Sequence, residues 1–312
     1  MTAVIESPVE AVEEPIVVRA SISQRLLVGL SKAAPIVVTV LILGSCWELY
    51  KLLGSAFDDT IPGLGWKFPV KSDDTTMPHL WSIVGALGEA GNNNKAGALP
   101  LWRVLFNAAG YTAREASVGF VLGAVAGVAL ATVFQLVPVL GRAFSPWLVV
   151  SQTIPFVATA PMIVIWGGRA GMPAWFAVSI ISAYLVFFPV TVNTARGFAA
   201  VTEGQLELMR SYAAGSWWTL LRLRVPMALP YLFVGLRIGA TSAVVGAIVG
   251  ELPSGQSDGV GRLVLTFASF FQLAPERLFA AVAAAALLGI TFFGVVSLAE
   301  RLVLGPRALE AT

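Results

Sequence analysis

The stretch ELMRSYAAGSWWTLLRLRVPMALP, residues Glu207–Pro230, decides how the rest of the chain must be arranged. It is charged and amphipathic, and it is too polar to cross a bilayer, although apolar stretches of spanning length lie on both sides of it. A polar helix held at a membrane surface in mid-chain usually contacts something in the water. The stretch therefore predicts a docking element for a soluble partner within a membrane protein.

The composition also indicates an integral membrane protein. Of the 312 residues, 57% are hydrophobic and 12% are charged, whereas soluble globular domains carry about 25% charged residues. The net charge of +2 is too small to suggest nucleic-acid binding. The single cysteine, Cys46, excludes a disulfide or a cysteine-rich metal site within one chain, and the single histidine, His79, argues against histidine-based catalysis. We expect neither a metal site nor enzymatic activity.

Hydropathy predicts an all-α fold with about six transmembrane helices. A spanning helix needs about 20 mainly apolar residues, and residues 101–114 are expected to form a lead-in helix to the second span. The predicted spans are residues 35–53, 115–138, 144–167, 172–195, 226–250 and 278–304.

The regions around the spans differ in charge and polarity. The acidic start lacks the basic n-region of a signal peptide, so we expect residues 1–30 to form a disordered cytoplasmic tail. A first transmembrane helix is expected at 31–53, a polar extracytoplasmic loop at 54–100, a core domain at 101–304 and a short tail at 305–312. The Lys/Arg bias of the short loops places both termini, and residues 203–223, in the cytoplasm.

Two patterns inside the spans predict how the helices pack. Gly119, Gly123 and Gly127 share one helix face, which lets another backbone approach closely. Pro155 and Pro161 interrupt the third span and free backbone groups that only protein or a water-lined cavity can satisfy. That span is expected to be kinked and to face the bundle.

Residues 203–223 predict one or two short helices on the membrane surface. Glu207 and Arg210 are spaced for an ion pair on one helix face. Small residues at 213–216 allow a tight turn, Trp217 and Trp218 begin an apolar face, and Pro226 opens the next span. An interfacial helix anchored by the tryptophan pair, with no partner, would also fit this pattern.

The same stretch resembles the cytoplasmic signature of binding-protein-dependent ABC importer permeases, E-A-A, three residues, G-A, and Leu-Pro some dozen residues later. Glu207 takes the acidic position, Ala213 and Ala214 the Gly-Ala position, and Val225-Pro226 the Leu-Pro position. Two departures are Leu208-Met209 in place of the alanines and Ala213 in place of the glycine, with Gly215 two residues later. The segments that resemble the nitrate, sulfonate, taurine and thiamine-precursor branch are Met227–Gly239, Thr112–Gly127, Gln152–Trp166 and Phe188–Gly197, within Trp102–Leu304.

The resemblance implies a type I ABC importer (MetI-like) fold in a bacterial inner membrane, with a cytoplasmic coupling helix. ATP and Mg²⁺ would be bound by a separate dimeric ATPase, which fits the absence of G-x-x-x-x-G-K-[ST] from this chain. A second permease copy or close homologue would complete the path, and an extracytoplasmic binding protein would deliver the solute. The residues expected to couple to the ATPase are Glu203, Glu207, Arg210, Ala213, Ala214, Gly215, Trp217, Trp218 and Pro226.

Arg237 and Glu251 are the charged candidates for the path or its gate. Arg237 lies about 16 Å along its helix from Pro226, near the middle of a hydrocarbon core about 30 Å thick. It either lines the path or bonds to carbonyls freed by Pro155 or Pro161. Glu251 pairs with an arginine of the binding protein, lines the outer gate, or is an ordinary interfacial carboxylate at the end of its span. The uncharged and proline candidates for the path are Gln152, Pro155, Pro161, Tyr184 and Asn193.

Two other functions remain compatible with a multi-span chain. An ion-coupled secondary transporter would show inverted repeats and intramembrane carboxylates, and the predicted spans carry no Asp or Glu at their middle. A membrane assembly factor would bind a soluble partner without transport. The solute is expected to be a heterocyclic or aromatic precursor, or a small anion such as a sulfonate, because that branch handles both.

Overall fold

The computed structural model describes residues 22–60, 67–91, 98–255 and 258–305. Within these ranges the chain forms helices, turns and two isolated β-bridges, without a strand. The fold is therefore all-α, as the sequence predicts. Residues 1–21 and 306–312 of the expected tails lie outside the described ranges. Helix α1 (Ile22–Ala56) begins within the stretch that we expected to be disordered.

The described residues up to Ser72 belong to a first compact unit, built on α1. After α1 the chain folds back on the end of this helix. The Tyr50 hydroxyl donates to the Val70 carbonyl at 2.9 Å, and its ring meets Phe68 edge-on. The Ser72 N–H donates to Asp59 Oδ1 at 3.0 Å. The first part of the predicted loop at 54–100 is thus tied to α1.

The second unit begins at Asp73 and contains the remaining helices. A π-helical turn, Leu220–Arg224, joins the eighth helix to the ninth. The helices are α2 (Leu80–Ala86), α3 (Leu101–Leu136), α4 (Pro138–Ser151), α5 (Phe156–Arg169), α6 (Ala174–Ala199), α7 (Glu203–Ser211), α8 (Ser216–Thr219), α9 (Val225–Glu251), α10 (Val260–Ser269) and α11 (Pro275–Leu304).

Within the described ranges, five helical stretches are long and apolar enough to span a membrane. They are Val37–Ala56 of α1, α3, α6, Ser216–Glu251 and α11, and the bent pair of α4 and α5 can supply a sixth span. This agrees with the predicted number. The expected lead-in helix at 101–114 is not separate, because it continues without a break into the second span as α3.

The core of the second unit lies where α3, α6 and α9 pack together. A Cβ atom on Gly119 would lie 2.4 Å from Ser182 Cβ, and one on Gly123 would lie 2.5 Å from the Ala183 carbonyl oxygen. The glycines of α3 therefore let its backbone approach α6, as predicted. Fully buried aliphatic residues such as Val190 of α6 complete this core.

The third predicted span is broken rather than merely kinked. Helices α4 and α5 meet at 97°, and Pro155 stands at the start of α5, while Pro161 lies inside it. Helix α4 has no buried residue and packs on α3, whereas α5 packs on α6 and α9. The predicted inward face is thus wrong for α4, because the break turns this half away from the core of the chain.

Candidate functional site

Residues 203–224, called the surface segment below, form the expected helix–turn–helix. Thr202 and Gln205 make a capping box at the start of α7, in which the Thr202 N–H donates to Gln205 Oε1 at 3.0 Å. Glu203 and Glu207 are exposed on α7. A short turn then leads into α8, whose N-cap is Gly215. The start of α7 is therefore capped by side chains of this chain itself.

Helix α7 ends in a Schellman motif. The Ala214 N–H donates to the Met209 carbonyl at 3.0 Å, and the Ala213 N–H donates to the Arg210 carbonyl at 2.8 Å. Ala213 has φ 52°, in the left-handed region that glycine adopts most readily. Gly215 has φ −68°, so its conformation suits any residue. Ala213, and not Gly215, therefore makes the turn.

The outer side of the surface segment presents aromatic side chains. Tyr212 is 76% exposed, Trp217 58% and Trp218 56%. The Arg222 guanidinium lies over the Trp218 ring, 4.9 Å from its centre. Exposed aromatic rings with a nearby arginine are the composition typical of protein interface hot spots. This surface can thus bind a protein partner.

The inner side of the surface segment is joined to the bundle. Leu220 is buried with Phe198 and Ala228, and the Arg224 guanidinium donates to the Phe198 carbonyl at 2.7 Å. Beyond this contact, α8, the π-helical turn and α9 follow one another without an intervening loop, and Pro226 lies in the first turn of α9. The surface segment is therefore continuous with a helix of the core.

Arg210 has a different environment from the predicted one. The expected pair with Glu207 is wrong, since the ion pairs among the described residues do not include it. Arg210 instead lines a cavity of about 390 Å³ between the surface segment and the junction of α3 with α4. Arg224 and Ala214 line the same cavity. Arg210 is exposed, so it faces water as well as the cavity.

Arg237 forms an ion pair that neither sequence hypothesis included. Its Nη1 lies 3.2 Å from Glu300 Oε2, and the Glu300 side chain is almost completely buried. The pair joins α9 to α11. The expected bonds to carbonyls freed by Pro155 or Pro161 do not form. A partly buried arginine in a span favours a counter-ion, which was a signal for an acidic partner, although Glu300 itself was not predicted.

Glu251 is buried and is not an interfacial carboxylate. Its Oε1 lies 2.6 Å from Thr112 Oγ1, and its Oε2 accepts the Gly261 N–H at 2.6 Å. Thr112 Oγ1 also accepts the Val260 N–H at 2.9 Å. Glu251 thus fastens the start of α10 to α3 and α9. Its carboxylate is not available to an external arginine in this structure, which corrects that expectation.

The remaining path candidates are held by hydrogen bonds within the chain. The Tyr184 hydroxyl donates to the Ser151 carbonyl, which ties α6 to the last residue of α4. Gln152 Nε2 lies 3.5 Å from Ser151 Oγ, at the break that Pro155 ends. Asn193 Nδ2 donates to the Pro189 carbonyl at 2.8 Å within α6. The structure therefore brings Tyr184 and Gln152 together beside the broken span.

Glu115 is a buried acid that the sequence analysis missed. It was expected at the start of the second span, but it lies in the interior of α3 and is fully buried. Helix α3 therefore encloses an acid one turn before its glycine face. Thr112 and Glu115 are the buried polar residues in this first part of α3, whereas Arg103 and Asn107 are exposed, so hydropathy alone does not show that Glu115 is enclosed.

Residues 119–305 match the family of binding-protein-dependent transport system inner membrane components. The chain belongs to that family. The permease is 36% identical over 191 residues to the formylaminopyrimidine transport permease protein ThiX of Halalkalibacterium halodurans, covering 60% of this chain and 72% of ThiX. It is 34% identical over 164 residues to the riboflavin transport system permease protein RibX of Chloroflexus aurantiacus, covering 53% of this chain but only 59% of RibX.

A solved structure agrees with the MetI-like fold of this permease. The crystal structure of an amino acid ABC transporter with histidines superposes with a TM-score of 0.51 and 19% identity, covering 64% of this chain and 94% of the other. At this identity the likeness concerns the fold alone. The chain is thus an ABC transporter permease with several membrane spans, and membership of this family implies an inner-membrane location.

Proposed function

We propose that this permease is the membrane subunit of an ATP-driven importer, with ATP bound and hydrolysed on a separate ATPase dimer. The observation that carries the proposal is the surface segment, whose exposed Trp217 and Trp218 stand on a helix that runs directly into α9. The permease itself catalyses no reaction. ATP and Mg²⁺ belong to the partner, and this chain supplies the docking surface and the path.

The contacts of α9 suggest how movement of the ATPase reaches the path. A movement of α7 and α8 would shift α9, because the π-helical turn connects α8 to α9 without a flexible loop. Helix α9 packs on α6 through Gly235 and Gly246, which bring the two backbones close. It is also fastened to α11 by the Arg237–Glu300 pair. These attachments make α6, α9 and α11 move together, which changes the opening between spans.

The rest of the proposed assembly follows from this role. A second permease copy, or a close homologue, would enclose the path together with this chain. A binding protein would deliver the solute on the side of the membrane opposite the surface segment. Both termini and the surface segment would lie in the cytoplasm, where the ATPase is, and membrane lipid would surround the exposed apolar faces of the spans.

For the solute, we favour a small heterocyclic molecule. The relatives named above are described as permeases for riboflavin and for formylaminopyrimidine, both of which contain nitrogen heterocycles. A small anion such as a sulfonate, which the same branch handles, is the second candidate. Arg237 is already neutralised by Glu300, which reduces the attraction that an anion would find at that position.

Affinity purification of the tagged chain from its native membrane, followed by mass spectrometry, tests the proposal. Recovery of a P-loop ATPase and a secreted binding protein would support it, and the binding protein would then be screened with heterocycles and sulfonates. Recovery of the chain alone, with transport in liposomes that needs an ion gradient but no ATP, would support a secondary transporter. Recovery of a soluble partner without any solute-dependent ATP turnover would support an assembly factor.

A further inference from the structure

Two buried carboxyl groups meet where α3, α9 and the start of α10 join. Glu115 of α3 is fully buried and Glu251 of α9 is 1% exposed. Thr112, which lies three residues before Glu115 on the same helix, bonds to Glu251 at 2.6 Å, so the two carboxyl groups lie close together. The place is at the end of α9 opposite the surface segment, so the pair is separate from the docking surface and from the Arg237–Glu300 ion pair.

The two acids are bonded very differently. Both oxygens of Glu251 are occupied, Oε1 by Thr112 Oγ1 and Oε2 by the Gly261 N–H, each at 2.6 Å. Both oxygens of Glu115 are buried and have no hydrogen-bond partner. A buried carboxylate without a partner is expensive, and a second carboxylate beside it raises the cost further. The site therefore lacks one positive charge.

The surrounding groups do not supply this charge. The charged and titratable neighbours are Tyr111 and Arg114 on α3 and Asp258 ahead of α10, and Arg262 contributes its backbone N–H toward Glu251. The Arg114 guanidinium lies over the Trp175 ring of α6, 4.1 Å from its centre, and not between the acids. Asp258 adds negative charge. The missing positive charge must come from a proton or from a bound cation.

The packing favours a proton. A Cβ atom on Gly259 would lie 2.2 Å from Glu251 Cδ, and one on Gly261 would lie 2.9 Å from Glu251 Oε2, so the carboxyl group is tightly enclosed. A cavity of about 400 Å³ nearby is lined by Tyr111 and Asp258, but neither glutamate lines it. Among the described residues, no group of three His, Cys, Asp or Glu side chains could hold a metal ion.

We propose that Glu115 and Glu251 share a single proton and act as a pH-sensitive latch. With the proton in place, Glu115 is neutral and its O–H donates to Glu251, which gives the orphaned acid a partner. Glu251 and Thr112 in turn hold the N–H groups of Gly261 and Val260 at the start of α10. When the proton leaves, two enclosed negative charges repel each other, and α10 is released from α3 and α9.

Infrared spectroscopy of the full chain in lipid nanodiscs, labelled with ¹³C-glutamate, tests the latch directly. At neutral pH the wild type should show the carbonyl stretch of a protonated glutamic acid, shifted by the label and by exchange into D₂O. Glu115→Gln should remove this band. The matched control, Glu276→Gln on the first turn of α11, should retain it. A wild-type spectrum without the band at neutral pH would overturn the proposal even if no variant folds.

Thermal unfolding over a pH series provides the second readout. Because the folded chain would carry one more proton than the unfolded chain, stability of the wild type should fall as the pH rises. Glu115→Gln keeps the neutral form at every pH and should lose this part of the slope, while Glu276→Gln should keep it. Equal slopes in the wild type and Glu115→Gln would contradict the latch. Stabilisation of the wild type by Na⁺, absent from Glu115→Gln, would show a cation in place of the proton.

Discussion

Ala213 has a backbone conformation that is unfavourable for any residue with a Cβ atom. Its left-handed conformation at the end of α7 costs an L-residue about 1–2 kcal/mol relative to the common regions. Ala213→Gly removes this conformational cost, but the greater freedom of glycine in the unfolded chain offsets about 0.4–1 kcal/mol of the gain. We therefore expect a net stabilisation of about 0.5 kcal/mol. Thermal unfolding measures the change. Gly215→Ala, at φ −68°, should have little effect, and a clear loss of stability from that variant would show that the turn is misassigned.

The Arg237–Glu300 pair illustrates the cost of removing one member of an ion pair. Glu300→Gln leaves Arg237 without its counter-ion, so we expect a loss of about 2 kcal/mol, below the 3–5 kcal/mol of fully buried pairs because Arg237 is one third exposed. The double variant Arg237→Met/Glu300→Leu should recover most of this loss. Unfolding of the single and double variants measures the coupling, and additive losses would mean that the two side chains act independently.

At the scale of elements, the surface segment is the part on which the proposed ATPase docking depends. Ala214→Glu places a charge in a half-buried turn of this segment, so we expect ATPase binding to weaken at least tenfold, about 1.4 kcal/mol, while the spans stay folded. Quantitative co-purification measures the affinity. Leu273→Glu, 82% exposed at the other end of the bundle, is the control. Wild-type recovery of the ATPase with Ala214→Glu would place the docking surface elsewhere.

The close contact of α3 with α6 gives a second prediction for the elements. Gly123→Ala would bring a Cβ atom within 2.5 Å of the Ala183 carbonyl oxygen, and we expect a loss of about 1–3 kcal/mol from this overpacking. Gly110→Ala in the same helix meets nothing within 4 Å and should stabilise the chain by up to about 1 kcal/mol through helix propensity. Thermal unfolding of both variants measures the difference. Equal responses would mean that α3 does not approach α6 as closely as the structure indicates.

For the whole molecule, the proposed function predicts what drives transport. Proteoliposomes that contain the permease with its ATPase should take up solute only when ATP and the binding protein are present. The uptake of labelled solute measures this dependence, with a variant of the ATPase that cannot hydrolyse ATP as the control. Uptake that follows a proton or sodium gradient at the same rate without ATP would contradict the importer and favour the secondary transporter.

Features that repeat along one helix could be predicted from the sequence, and features that depend on a distant partner could not. The spans, the glycine face of α3 and the turn at 213–216 were predicted because hydropathy, spacing and small residues act locally. Glu300 and Thr112 could not be identified, because each meets its partner through a contact between helices far apart in sequence. The orientation of the break at Pro155 likewise depends on α6, whose Tyr184 fixes the end of α4.

Helix α3 is longer than the hydrocarbon layer of a membrane is thick. Its 36 residues extend about 54 Å, whereas the hydrocarbon layer is about 30 Å thick, so a substantial part of the helix must project beyond the acyl chains or tilt. Leu101 and Leu105 at its first turns are buried with Ala86 of α2 and Phe267 of α10. These residues form a small hydrophobic nucleus at the end of the second unit opposite the surface segment. Among the described residues, the long helix thus carries its own packed end, built from the short helices that surround it.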